Sequence, residues 1–167
     1  MTWIAIQPVL LGLGAIVLGL IGNTILEWVR LSLASRHQRM AVRRALIAEL
    51  EGALELADSN YLKLKQEPVP KGQVLQTPIR ERYPAFTWAM PNIGLLRGPE
   101  ITAVFNAYDY LDSWIEIIVC VGKLERVEGR LFGHVPAENS ETVMLAGQDR
   151  VEHLRAALTE LRRNVNR

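Results

Sequence analysis

The chain has 167 residues, with 19 Lys and Arg against 18 Asp and Glu and a formal net charge of +1 at neutral pH. So even a balance supplies no global field for a nucleic acid, and a single cysteine excludes an internal disulfide framework. Once an N-terminal segment is set aside, the length suits one compact domain rather than two.

Residues 3–22 form an almost uninterrupted apolar run without a charged side chain. A bilayer core of about 30 Å needs roughly 20 apolar residues in a helix, so the run predicts an N-terminal transmembrane anchor over residues 1–29. It lacks the basic start, short apolar core and small-residue cleavage site of a secretory signal. Pro8 is tolerated in the first turns of such a helix. The arginines after the run, from Arg30 onward, resist translocation and place the N-terminus outside and the remainder in the cytoplasm, at an inner membrane.

Within the anchor, Gly12, Ala15, Gly19 and Gly22 recur at steps of three and four and share one stripe. Small residues let helix backbones approach closely in lipid, so the stripe predicts self-association into a homo-oligomer. Asn23 and Glu27 stand one turn apart. In a ring of helices they would line the inner mouth of a pore, whereas in a lone helix they reach interfacial water or pair with Arg30. Arg36, Arg39, Arg43 and Arg44 form a juxtamembrane basic cluster. Its default partner is the anionic headgroups of membrane lipids, worth about 1 kcal/mol each near the surface, and a phosphate ligand is the alternative.

From residue 23 to residue 66 there is no Pro, and Gly52 is the only Gly. Val42, Leu46, Leu50, Ala53, Ala57, Tyr61 and Leu64 fall on one face of a long cytoplasmic helix covering residues 30–66. Residues 67–83, with Pro68, Pro70, Gly72 and Pro78, read as a connection. Residues 84–98 predict one or two short helical turns that plug a bundle. Pro99 and Glu100 open the strongest helix, whose apolar positions run from Ile101 to Val119, with an end near Gly129. Residues 129–139, with two glycines and a proline, read as a turn, and residues 127–135 more weakly as a short hairpin. Asn139 or Ser140 caps a last helix with Met144, Val151, Leu154, Leu158, Leu161 and Val165 on one stripe. The predicted fold class is therefore all-α: one transmembrane helix continuing into a cytoplasmic antiparallel bundle, completed by residues 67–167.

Catalytic and metal-binding patterns are missing. His37, His134 and His153 make no metal-ligand spacing, and no nucleotide loop, nucleophile elbow or Cys pair occurs. The sequence thus predicts neither an enzyme nor a metal or cofactor. Cys120, in an apolar stretch, reads as a buried thiol of a reducing compartment. Asp109, Asp112 and Glu116 share a helix side as a solvated face, or as a dock for a cation or basic partner. Arg80, Arg82 and Arg97, with Tyr83, Phe86 and Trp88 near them, offer charge and stacking for a phosphate-bearing ligand, against the plainer reading of the aromatics as packing.

An N-terminal anchor, the basic helix RHQRMAVRRALIAELE and the later IGLLRGPEITAVFNAYDYLD element together resemble the small single-pass membrane proteins of bacterial mobile elements and defence loci. Among these, the layout is similar to the membrane effectors of Hailong-type antiphage systems. The resemblance implies assembly through the anchor and a cytosolic nucleotide or protein trigger, and it assigns no role to a numbered residue. The function expected is a homo-oligomeric membrane effector of antiphage defence, with a cytoplasmic sensing domain gating permeabilisation. The alternative is an anchored scaffolding or accessory subunit of a larger membrane complex.

Overall fold

The computed structural model describes residues 7–66, 69–80 and 82–165, and within the first helix it leaves out the side chains of residues 7–17, 63, 64 and 66. Four helices and three strands follow in the order α1 (Gln7–Gln66), β1 (Val74–Ile79), α2 (Pro84–Ala89), a 3-10 segment (Met90–Leu95), α3 (Gly98–Val121), β2 (Lys123–Val127), β3 (Arg130–Pro136) and α4 (Ser140–Arg163). The chain divides into two compact units, Met1–Arg39 and Met40–Arg167.

In the second unit, the stripe of α1 predicted from spacing is the buried one. Val42, Leu46, Leu50, Ala53 and Ala57 pack with Val104, Ala107, Tyr108 and Leu111 of α3 and with Leu154, Ala157, Leu158 and Leu161 of α4. Removing these side chains from water supplies the driving force of the bundle. Helix α3 starts where the sequence places it. Pro99 lies in its first turn, and Glu100 accepts a hydrogen bond from the backbone N–H of Arg97 at 2.8 Å, satisfying a helix-start donor.

The all-α expectation is corrected by a three-stranded antiparallel sheet of order β1-β3-β2. Val74 pairs with Pro136 and Ile79 with Leu131 on one side of β3, and Lys123 with His134 and Val127 with Arg130 on the other. In β1, Leu75, Thr77 and Ile79 are buried while Val74 and Gln76 are exposed, the period-two pattern of a half-covered strand. Pro78 interrupts that pattern to the eye, but it sits on an edge strand, where a missing N–H is tolerated. The sheet's inner face, Leu75, Ile79 and Val135, closes a second core with Trp114, Ile118 and Val143.

This sheet also moves the end of α3 forward from the predicted neighbourhood of Gly129 to Val121. A Cβ at Gly122 would collide with the backbone carbonyl of His134, and one at Gly133 would stand 2.6 Å from Ile118 Cγ2. Both glycines allow the backbone of β3 to lie against the end of α3.

The membrane-spanning anchor is corrected as well: among the described residues no helix is long and apolar enough to cross a membrane. From Leu18 onward, where side chains are described, Asn23, Glu27 and Arg30 interrupt the apolar sequence. What is left falls short of the roughly 20 apolar residues a bilayer core requires. Residues 1–6 of the expected span lie outside the described residues, as do the side chains of Gly12 and Ala15.

Candidate functional site

Two buried polar ties organise the second unit. Arg43 of α1, 4 % exposed, donates to both carboxylate oxygens of Glu100 on α3, at 2.7 and 2.9 Å, and to the backbone carbonyl of Asn164 at 3.3 Å. Arg97 donates to Oδ1 of Asn164 at 2.7 Å. Burial pushes the Glu100 carboxyl upward, but the hydrogen bonds from Arg43 and the Arg97 backbone, with the charges of both arginines, overcome it and hold the group below its ordinary range. Such a bidentate pair fixes the two helices in direction as well as distance.

The second tie centres on Glu49. Its carboxylate accepts from the backbone N–H groups of Ala85 and Phe86 at 3.0 Å each and from the Tyr108 hydroxyl at 2.8 Å, with the Arg80 guanidinium 3.7 Å away. Burial and the donated hydrogen bond to Glu49 push the Tyr108 phenol far above its usual value. Phe86 stacks on Tyr108 with ring centroids 4.0 Å apart and meets Phe105 edge-on, while Tyr83 meets Tyr108 edge-on. These rings are thus packed on one another, and Trp88 alone of the three candidate stacking aromatics is largely exposed.

The juxtamembrane arginines separate. Arg36 and Arg44 are exposed, Arg39 is half-buried with an Nε lacking a hydrogen-bond partner among the described residues, and Arg43 is the buried partner of Glu100. Arg43 therefore ties helices together inside the unit. Nothing at its position in the sequence distinguishes it from its neighbours except its place beside Val42 on the apolar stripe.

On α3, burial and the neighbouring charges of Asp109 and Glu116 push the Asp112 carboxyl upward, as their shared helix side suggests. Among the described residues no group of three or more His, Cys, Asp or Glu is placed to hold a metal ion. Cys120 is exposed rather than buried, on an open groove of about 560 Å³ that Lys123, Glu125 and His134 also line. There His134 Nε2 stands 3.4 Å from a Glu125 carboxylate oxygen without a hydrogen bond.

The first unit offers a different kind of surface. Leu18, Leu20, Ile21, Ile25, Leu26, Trp28, Val29, Leu31 and Leu33 are all exposed, from 40 % at Val29 to 71 % at Leu18. At 3.6 residues per turn, Leu18, Ile21, Ile25, Leu26, Trp28, Val29 and Leu33 share one broad side of α1. Asn23, Glu27 and Arg30 form a narrow polar stripe across from it, flanked by Leu20 and Leu31. Asn23 and Glu27 are exposed on this stripe. Gly19 and Gly22 have nothing within 4 Å of where a Cβ would stand, so the small-residue stripe is open at these two positions. An apolar surface this continuous is unusual for a segment facing only water. No protein-family model, curated protein or solved structure matches the chain.

Proposed function

We propose that the chain is a self-associating effector that works at a membrane surface, attached through residues 18–33 of α1 and carrying its recognition surfaces on the unit Met40–Arg167. One observation carries the reading: nine large apolar side chains stand exposed within residues 18–33 of a single helix. A helix with a broad apolar side, a Trp within it and a narrow charged stripe lies in the plane of a lipid interface, its apolar side among the acyl chains. Arg36 and Arg44, exposed just beyond it, meet anionic headgroups. Leu20 and Leu31 remain exposed on the far side of the helix, an apolar strip that favours a second copy as its cover.

The test is flotation of the full chain with vesicles of phosphatidylcholine, with and without phosphatidylglycerol, comparing wild type with Ile25→Asp/Leu26→Asp. Wild type is expected to float, more fully with the anionic lipid, and the double variant to stay at the bottom. Equal recovery of both proteins overturns the reading. Release of a trapped dye then separates the effector from an anchored scaffold, since flotation without leakage favours the scaffold.

A further inference from the structure

Strand β2 lies at an edge of the sheet: the order β1-β3-β2 gives it β3 as its one neighbouring strand among the described residues, and all five of its residues are exposed. Its backbone leaves a defined set of groups at that edge. Glu128 and Gly129, both at positive φ, make the two-residue turn into β3, and such a turn closes on a hydrogen-bonded pair, here Val127 with Arg130. Bonded and non-bonded pairs alternate along an antiparallel ladder, so Lys123, Glu125 and Val127 turn their N–H and C=O groups toward β3. Leu124 turns its own outward, an open template for a further strand. Gly122, with φ −152° and ψ −148°, continues the extended backbone by one residue.

Charged side chains on an edge normally oppose pairing with another chain. In the run Lys123, Leu124, Glu125 the two charges are opposite in sign and two residues apart, on one face of the sheet, so they complement a second copy running antiparallel. With Leu124 opposite its own counterpart, Lys123 of each copy stands opposite Glu125 of the other, in non-hydrogen-bonded pairs whose Cα atoms are about 4.5 Å apart. Centring the pairing on Lys123, Glu125 or Arg126 instead sets that charge against itself, and centring it on Val127 carries the second strand past the turn. The Glu125 side chain is 62 % exposed, and His134 Nε2 stands 3.4 Å from one of its oxygens without a hydrogen bond, so the carboxylate keeps acceptor positions for a lysine. Leu124, 38 % exposed at the edge, gains an apolar neighbour on the opposite face.

We propose that β2 is a homodimer interface: two copies of this chain join antiparallel about a two-fold axis between their Leu124 residues, merging two three-stranded sheets into one, with two Lys123–Glu125 pairs fixing the register. A two-fold contact requires one surface to be complementary to itself, which the order Lys, Leu, Glu supplies. The inference rests on the unit Met40–Arg167 and stands apart from membrane attachment through residues 18–33.

Sedimentation equilibrium of the full chain in detergent micelles, which cover residues 18–33, tests it. Wild type is expected to be a dimer in equilibrium with monomer. Lys123→Glu and Glu125→Lys each turn two attractive pairs into repulsive ones and are expected to weaken the dimer about tenfold, while Lys123→Glu/Glu125→Lys together restores it. In a Cys120→Ser background, Leu124→Cys is expected to form a disulfide-linked dimer on mild oxidation, because hydrogen-bonded pairs place Cα atoms about 5.5 Å apart, whereas Arg126→Cys is not. A wild type that stays monomeric up to about 0.5 mM, a charge swap that fails to restore association, or equal cross-linking at positions 124 and 126 overturns the proposal. So does a dimer indifferent to both single reversals, and its loss in Ile25→Asp/Leu26→Asp would place self-association on α1.

Discussion

At Arg43 the identity of one side chain determines how two helices meet, because its guanidinium is the partner of a fully buried carboxylate. Replacing it with Met leaves the Glu100 charge buried with only the Arg97 contacts, and removing one member of such a pair costs about 3–5 kcal/mol. The pH dependence has a definite sign. Glu100 titrates below its ordinary 4.5 in the folded protein, so its contribution is fully present above that value and is lost as pH falls through the depressed folded one. In Arg43→Met the carboxyl loses its main partner, burial raises its proton affinity, and protonation removes the unpaired charge. The expected outcome in urea unfolding is a large difference between wild type and variant at pH 7 that narrows as the pH is lowered toward 4. A difference independent of pH would show that Arg43 acts through packing of its stem and not through Glu100.

The hairpin of β2 and β3 turns on two residues, Glu128 and Gly129, with φ of 49° and 79°. Both central positions of this tight turn have positive φ, which suits Asn-Gly far better than Glu-Gly, since an unbranched non-glycine side chain is strained there. Glu128→Asn is expected to raise stability by about 0.5 kcal/mol, whereas Gly133→Val, which drives a side chain into Ile118, is expected to cost about 1–3 kcal/mol or more. Chemical denaturation of both variants checks the pair, and an unchanged Gly133→Val would contradict the close approach of β3 to α3. These strands also show which elements the sequence made legible. The long helix and the start of α3 followed from local signals: uninterrupted apolar spacing, and Pro99 with Glu100. Strand β1 did not, because its alternation of Leu75, Thr77 and Ile79 is only three positions deep, one of them polar, and lies among prolines. The end of α3 was equally hidden, since what stops it is a carbonyl of β3 that comes close only after folding. The candidate sites divide in the same way. The apolar surface around Trp28 is visible as sequence, while the burial of Arg43 depends on which helices surround it.

Both hydrophobic cores are drawn from residues beyond Met40: the bundle core begins at Val42, and the sheet core lies between Leu75 and Val143. The two polar ties lie beyond that boundary too, at Arg43 and Glu49. Residues 18–33, by contrast, expose their large apolar side chains and bury none of them among described neighbours. If stability resides in the second unit and attachment in the first, cutting the chain between Arg39 and Met40 should separate the two properties. A fragment Met40–Arg167 retains the core side chains of both clusters and the pairing of Arg43 with Glu100. Its first α1 residues fray, at a cost held to about 1 kcal/mol because Val42 and Leu46 are anchored by packing. We expect it to unfold cooperatively with near-native helical content and to remain at the bottom of a vesicle flotation gradient where the full chain rises. An unfolded fragment would mean that residues 7–39 contribute to the folding of the second unit. A folded fragment that still floats would move the attachment surface away from Trp28 and onto the unit that begins at Met40.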